Sequence, residues 1–330
     1  MLAASCMPGA GRERRPFTAA EWGAAARAAY QLAADYSVPL AGLQIFTTGP
    51  ASYQPLFADA TVFAALRAVS AEMRPRGRFL VHGHYLTATV WDLGRAAGGP
   101  LSGTRLRAAP RDQLTPGQRI VSGARQHLAG QLHAATGFAA EGVVVHLPSL
   151  PPTPLVECVS DVVARCRDFG RSAAPPRLWL ETAAELPRTE WGYSTAPQIA
   201  ALVSALDDLS LLPRAGICID TAHIWSQGND AVVKYDDFVE LLRPAREAAD
   251  NPLPLMIHLN DCTLARGVGR DIHAALGAGL IWPDFAQHPA ATGAAAALDL
   301  ARELKGLAVL ERSNAAALAD DYAALRKYPW

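Results

Sequence analysis

The chain has 330 residues, half of them hydrophobic, with 30 lysines and arginines against 31 aspartates and glutamates, for a formal charge of −1. That length and apolar content support a full-sized core, as one large domain or two ordinary ones; the absence of any run of about 18 apolar residues argues against a membrane span. A near-neutral balance, taken alone, argues against a nucleic-acid partner, which rewards a strongly basic surface.

The N-terminal segment, MLAASCMPGAGRERRPF, carries its arginines after small residues, the reverse of a secretory signal, so an intracellular protein is expected. Five cysteines (Cys6, Cys158, Cys166, Cys218 and Cys262) form no CxxC pair and read as free buried thiols. Along the chain, eight short apolar runs rich in Val, Ile and Leu are predicted as strands: Leu2 to Cys6, Leu40 to Phe46, Arg78 to His82, Gly142 to His146, Leu178 to Glu181, Gly216 to Asp220, Leu255 to His258 and Leu307 to Glu311. Between them, amphipathic stretches are predicted as helices over Ala19 to Tyr36, Ala60 to Met73, Gly117 to Thr136, Leu155 to Phe169, Ala196 to Leu209, Tyr235 to Ala249 and Trp282 to Leu304. Eight such units at about 41 residues each match an α/β chain folded as a (β/α)₈ TIM barrel. No repeat or low-complexity linker divides the chain, so a single domain over residues 1–330 is expected. The segment GGPLSGTRLRAAPRDQLTP, with Arg105, Arg107 and Arg111, reads as a long loop after the third strand, either solvated or contacting something anionic.

Six of the strands end in a side chain able to bind a metal: His82, His146, Glu181, Asp220, His258 and Glu311. Strand C-termini converge on one face of a barrel, so these side chains are expected in a common bowl. His223, three residues past Asp220 across a strand-to-loop turn, and the Asp271/His273 pair, two apart in an extended loop, complete a set of five imidazoles and four carboxylates. That mixture suits zinc or manganese, with the histidines favouring zinc; without cysteine ligands the site reads as catalytic rather than structural. A lone strand-end His or Asp is usually a capping or hydrogen-bonding group, and only the recurrence makes the metal reading the better one. The HGH triplet at His82 to His84 invites comparison with metal-dependent amidohydrolases, but no suitable lysine ends the next strand.

The segments VHGHYL (81–86), VVVHLPS (143–149), LWLETAA (178–184), GICIDTAHIWSQGND (216–230), IHLNDC (257–262), GRDIHAALGAG (269–279) and LAVLERS (307–313) stand in an order that resembles the endonuclease IV class of apurinic/apyrimidinic (AP) endonucleases, within the xylose-isomerase-like TIM barrel superfamily. The resemblance covers residues 78–313. It implies three zinc ions per chain, with manganese as an alternative at one site. His82 and His146 would hold the first, and Glu181 would bridge it to a second completed by Asp220, His258 and Glu311. His223, Asp271 and His273 would hold the third. It further implies a monomer that hydrolyses the DNA phosphodiester 5′ to an abasic site and leaves a 3′-hydroxyl, in base excision repair. Its partner is double-stranded DNA containing abasic sites, with Glu181 as the catalytic bridge positioning the hydroxide.

A phosphodiester repels hydroxide, so a metal cluster must both acidify water and neutralise phosphate oxygens. Three zinc ions would raise the charge of the chain to about +5, so the near-neutral composition no longer excludes DNA. Tyr85 and Leu86 match a DNA-contacting loop of the family, and Trp225, Trp282 and Tyr53 are further stacking candidates. The chain departs from the family after the second strand (FTTGPASYQPLF), at Ile272, where the family has an arginine that the neighbouring Arg270 could replace, and at Ala278, where an acidic residue is usual. The alternatives are a metal-dependent sugar isomerase or epimerase of the same superfamily, and a protein that binds abasic DNA without incising it.

Overall fold

The computed structural model describes residues 1–6, 16–46, 61–73, 78–83, 90–91, 111–137, 140–168, 176–247, 255–312 and 315–328. Eight parallel strands close into a barrel: β1 (Leu2–Ser5), β2 (Leu40–Phe46), β3 (Arg78–His82), β4 (Gly142–His146), β5 (Arg177–Glu181), β6 (Ala215–Asp220), β7 (Leu255–His258) and β10 (Leu307–Leu310), with β1 paired to both β2 and β10. A two-stranded antiparallel hairpin, β8 (Asp261–Cys262) and β9 (His273–Ala274), stands apart between β7 and β10. The eight predicted strands and the (β/α)₈ barrel are therefore observed, with ends shifted by a residue.

The helices are α1 (Ala19–Asp35), α2 (Thr61–Glu72), α3 (Pro116–Gly137), α4 (Pro152–Asp168), α5 (Ala196–Asp208), α6 (Thr221–Ser226), α7 (Tyr235–Glu247), α8 (Gly293–Glu303) and α9 (Ala315–Leu325). Local chemistry sets their starts. At α1 the Thr18 hydroxyl accepts from the Glu21 amide at 3.3 Å while the Glu21 carboxylate accepts from the Thr18 amide at 2.8 Å, a reciprocal cap of two orphan donors. The predicted helix over Trp282 to Leu304 is corrected: the helix begins only at Gly293, behind a 3₁₀ turn at Pro289–Ala291, because Thr292 caps it by accepting from Ala295 N at 3.3 Å. Helices α6 and α9 were not expected.

Strand alternation divides the core in two. Ala3, Leu80, Val144, Trp179, Cys218, Met256, Leu307 and Val309 form a cluster in the lumen. The intervening residues, such as Phe79, Val81, Val143, Val145, Leu178, Leu180, Ile217, Ile219 and Ile257, pack outward with the helices. Side chains two residues beyond a lumen residue point to the same side, one layer higher. His82, His146, Glu181, Asp220, His258 and Glu311 stand in that relation to Leu80, Val144, Trp179, Cys218, Met256 and Val309. The apolar lumen is thus roofed by ionisable groups at the strand C-termini.

Candidate metal centre

Register fixes the heights of these groups. His146 pairs with Glu181 and Asp220 with His258 across neighbouring strands. Glu181, Asp220 and His258 are fully buried, His82 and His223 nearly so, while His146, Asp271 and His273 are half-buried towards the mouth. All nine predicted ligating residues lie at this one end of the barrel.

Glu181 occupies the centre. Its Oε2 lies 3.2 Å from His82 Nε2 and 3.1 Å from His146 Nε2, and its Oε1 lies 2.7 Å from His258 Nδ1. The two oxygens of one carboxylate therefore face different imidazole sets, as a bridging ligand would. Ligand atoms of His82, His146 and Glu181 lie mutually within 4.8 Å, as do those of Glu181, Asp220, His258 and Glu311, and those of Asp220, His223 and His273. Asp271 Oδ2 joins the last group, 2.7 Å from His273 Nε2 and 3.8 Å from His223 Nε2. The imidazole rings form a connected series, with centroid separations of 5.8 Å for His82 and His258, 5.7 Å for His82 and His146, 5.4 Å for His146 and His223 and 6.1 Å for His223 and His273.

The nitrogen each ring turns to the site follows from the partner of the other nitrogen. His82 Nδ1 donates to the Gly83 carbonyl at 2.7 Å and His223 Nδ1 to the Thr182 carbonyl at 2.6 Å, leaving Nε2 for the site in both. His258 is reversed: Nε2 donates to Gln44 Oε1 at 3.0 Å, and Nδ1 faces Glu181. Gln44 was not expected from sequence. It occupies the lumen position of β2, where it also donates to Glu311 Oε1 at 2.6 Å. A polar residue breaks the apolar strand pattern there, and that break is the signal that could have found it.

A buried polar chain supports the carboxylates. Asn260 Nδ2 donates to Asp220 Oδ2 at 2.7 Å and to Glu311 Oε2 at 3.3 Å, while Asn260 Oδ1 accepts from Arg312 Nη1 at 2.7 Å. Arg312 is held in turn by Asp321 on α9, 2.7 Å away. Asp261 anchors the loop that carries Asp271 and His273, accepting from the amides of Cys262, Gly277, Gly279 and Ile281 at 2.8 to 3.1 Å. The HLND segment thus contains one site group, one residue packed outward and two supports.

One expectation about local geometry is corrected. His223 does not follow a strand-to-loop turn; it lies on α6, for which Asp220 is the N-cap, accepting from Ala222 N at 2.7 Å and His223 N at 3.1 Å. Gly83 accounts for the HGH triplet without an amidohydrolase: its amide donates to the Val144 carbonyl at 2.7 Å, and a Cβ there would stand 2.6 Å from that oxygen. Cys218 lies within reach of Glu181 and His258, but burial pushes its thiol up to about 12, so it stays protonated and is a poor ligand.

Burial pushes the Glu181 carboxyl up, but the His258 and His146 imidazoles prevail and hold it well below the usual carboxylate range. Glu311 is lowered in the same way, against burial, mainly by His258. His223 rises to about 9, because Asp220, Glu181 and Asp271 outweigh its burial, and His258 and His273 are also raised. Protons therefore stand where cations are wanted. A divalent metal bound by oxygens and imidazoles would displace them, so the donor set fits such an ion.

The expected DNA contacts fare differently. Tyr85, Leu86, Tyr53, Arg105 and Arg107 lie outside the described residues, as does the Arg111 side chain. Arg270 is exposed beside Asp271, and Ile272 is 46% exposed. Trp282 is corrected: it is buried, with its indole N–H donating to the Val232 carbonyl at 2.9 Å, so it cannot stack on a base. Trp225 donates to the Leu264 carbonyl at 2.9 Å and is packed in place. The five cysteines are free and buried. No helix among the described residues is long and apolar enough to cross a membrane.

Comparison with known proteins places residues 114–327 in a family model described as xylose isomerase-like TIM barrel. A curated African swine fever virus protein named "Probable AP endonuclease" is 30% identical over 175 residues, 52% of this chain and 55% of the viral protein. The chain thus matches about half the length of that relative. Among solved structures, one described as AsfvAP:AG has a TM-score of 0.70 at 22% identity, covering 90% of this chain and 88% of the other. Endonuclease IV from Thermus thermophilus has a TM-score of 0.63 at 21% identity, covering 99% and 98%.

Proposed function

The chain belongs to the xylose isomerase-like TIM barrel family, and from that premise we propose that it is an AP endonuclease acting in base excision repair: a zinc-dependent hydrolase that cuts DNA 5′ to an abasic site and leaves a 3′-hydroxyl. The observation that carries this reading is the Glu181 carboxylate, with one oxygen turned to His82 and His146 and the other to His258. A one-metal isomerase would need no such bridge, and neither a one-metal nor a two-metal isomerase would need the third group of ligands, Asp220, His223, His273 and Asp271, at the mouth.

His82, His146 and Glu181 would hold one zinc; Glu181, Asp220, His258 and Glu311 a second; His223, Asp271 and His273 a third, with manganese as an alternative at one site. When bound, such ions lower the pKa of water and neutralise the non-bridging phosphate oxygens. The side chains of the chain provide the frame. Glu181 sets the spacing between the first two groups, Asn260 and Gln44 fix Asp220, Glu311 and His258, and the half-buried His146, Asp271 and His273 leave the mouth accessible to a phosphate. Arg270, exposed beside Asp271, would meet the DNA backbone. An abasic nucleotide lacks the stacking and pairing that hold an intact one in the duplex, so extruding it costs less.

The names of the viral and Thermus proteins support this reading, as does the order of the segments around the site. Metal analysis tests it against the isomerase reading. About three zinc ions per chain, with incision of an abasic duplex and no incision of an intact one, is the expected result. One manganese or magnesium per chain and no incision would sink it in favour of an isomerase. Three zinc ions with tight binding to abasic DNA and no incision would instead support the non-incising binder.

A further inference from the structure

The opposite end of the barrel holds a second polar feature that the metal centre does not use. A cavity of about 220 Å³ opens at the strand N-termini, lined by Arg78, Glu141, Arg177, Trp179 and Lys305 over an apolar floor that includes Met256. The Trp179 indole N–H and the Arg177 Nε are both buried without a hydrogen-bond partner among the described residues. Trp179 itself is only 4% exposed. Gly142 makes room for its indole edge, since a Cβ at that position would collide with Nε1.

The charges around this cavity do not balance. Glu141 is engaged by a bidentate ion pair with Arg78, and Arg78 Nη1 also donates to the Lys305 carbonyl at 3.3 Å. Arg177, half-buried, and Lys305, exposed at the rim, have no ion-pair partner within 4 Å among the described residues, so Arg78, Arg177 and Lys305 bring more positive charge to this end than Glu141 alone offsets. Native proteins seldom leave buried donors unmade, and a water molecule could accept from the N–H groups but not offset the charge. The volume is several times the roughly 30 Å³ share of one water. A small oxyanion meets both demands, because each of its oxygens accepts charge-assisted hydrogen bonds from Arg and Lys.

We propose that this floor cavity binds a small tetrahedral oxyanion of the phosphate class, held by the Trp179 indole N–H, Arg177 and Lys305. The site lies at the other end of the lumen from the metal-ligating groups, and it stands or falls apart from the AP endonuclease reading.

The test is a titration of ¹⁵N-labelled, zinc-loaded full chain with sodium phosphate, against sodium chloride at matched ionic strength, following indole N–H resonances. The Trp179 signal is assigned by its loss in Trp179→Phe. The expected result is a saturable shift of that signal with phosphate and none with chloride, at least tenfold weaker in Arg177→Gln/Lys305→Gln. If the double variant does not fold, Lys305→Gln alone carries the comparison. A parallel titration with a nucleoside 5′-monophosphate separates sources: tighter binding than phosphate assigns a phosphorylated organic ligand, equal or weaker binding the free ion, and either supports the site. No saturable shift of the Trp179 signal, or equal affinity in the variants, overturns the proposal. Phosphate captured at the metal end would give that second result.

Discussion

Glu181 concentrates the chemistry of the site at one residue. Its carboxylate is fully buried and ionised, facing imidazoles on both sides. Replacing it by Gln keeps the shape and removes the charge. We predict that Glu181→Gln loses at least one metal per chain and all incision; full metal content with unchanged turnover would contradict its bridging role. Asn260 would act on the same ions through Asp220 and Glu311, to which its Nδ2 donates. Partners that orient metal ligands typically contribute about 10- to 100-fold in affinity, so Asn260→Ala is expected to weaken metal retention by that factor in competition with a chelator. An unchanged affinity would show that the two carboxylates hold position without it. A pH dependence follows from the raised His223. In the metal-free protein its folded value of about 9 lies above the unfolded 6.5, so the stabilisation from its charge is complete below 6.5 and lost as pH rises through about 9. Metal binding needs the neutral ring and strengthens over the same window. Both effects widen the gap in melting temperature between metal-loaded and metal-free protein as pH goes from 6.5 to 9. A gap that stays constant or narrows would argue against imidazole ligation at this position.

At the scale of elements, the strand period carries the arrangement. Each strand that ends in a ligating side chain places an apolar residue in the lumen two positions earlier, so the apolar pattern and the site share one face of each strand. This is why the barrel and six of the nine gathered residues could be read from strand phase, with eight apolar runs and an ionisable residue at the same phase in six of them; His223, Asp271 and His273 could be read from their spacing outside the strands. Other features depend on contacts that alternation does not encode. Helix α6 exists because the Asp220 carboxylate caps it, a second role for a residue read only as a ligand. The late start of α8 is set by the Thr292 cap, and Gln44 becomes part of the site only because β2 lies beside β1 and near β10 in the closed barrel. Gly83 offers a test at this scale. A methyl group there would press on the Val144 carbonyl and drive β3 away from β4, and overpacking of this kind costs about 1–3 kcal/mol. Gly83→Ala is expected to lower the melting temperature and to weaken metal binding at His82; wild-type values for both would show that the strands adjust freely.

For the whole molecule, the proposed function raises the question of how a nearly neutral barrel would hold a polyanion. The chain carries a formal charge of −1, and three divalent ions would bring it to about +5, concentrated at the C-terminal mouth. Binding should therefore depend on the metals as much as on the basic side chains. Ile272, exposed at that mouth between Asp271 and His273, adds no charge. Ile272→Arg is expected to tighten binding to duplex DNA and to steepen its salt dependence by about one phosphate contact. No change in the salt slope would place residue 272 away from the backbone. The central claim is metal-dependent incision beside an abasic site, and one measurement meets it directly: zinc-loaded protein is incubated with a duplex carrying a single abasic site, and the ends of the products are mapped with and without chelator. The account predicts a single cut on the 5′ side that leaves a 3′-hydroxyl extendable by a polymerase, lost when the metals are stripped and regained when zinc is restored. An intact duplex, a cut on the 3′ side, or incision that survives complete removal of metal would contradict it.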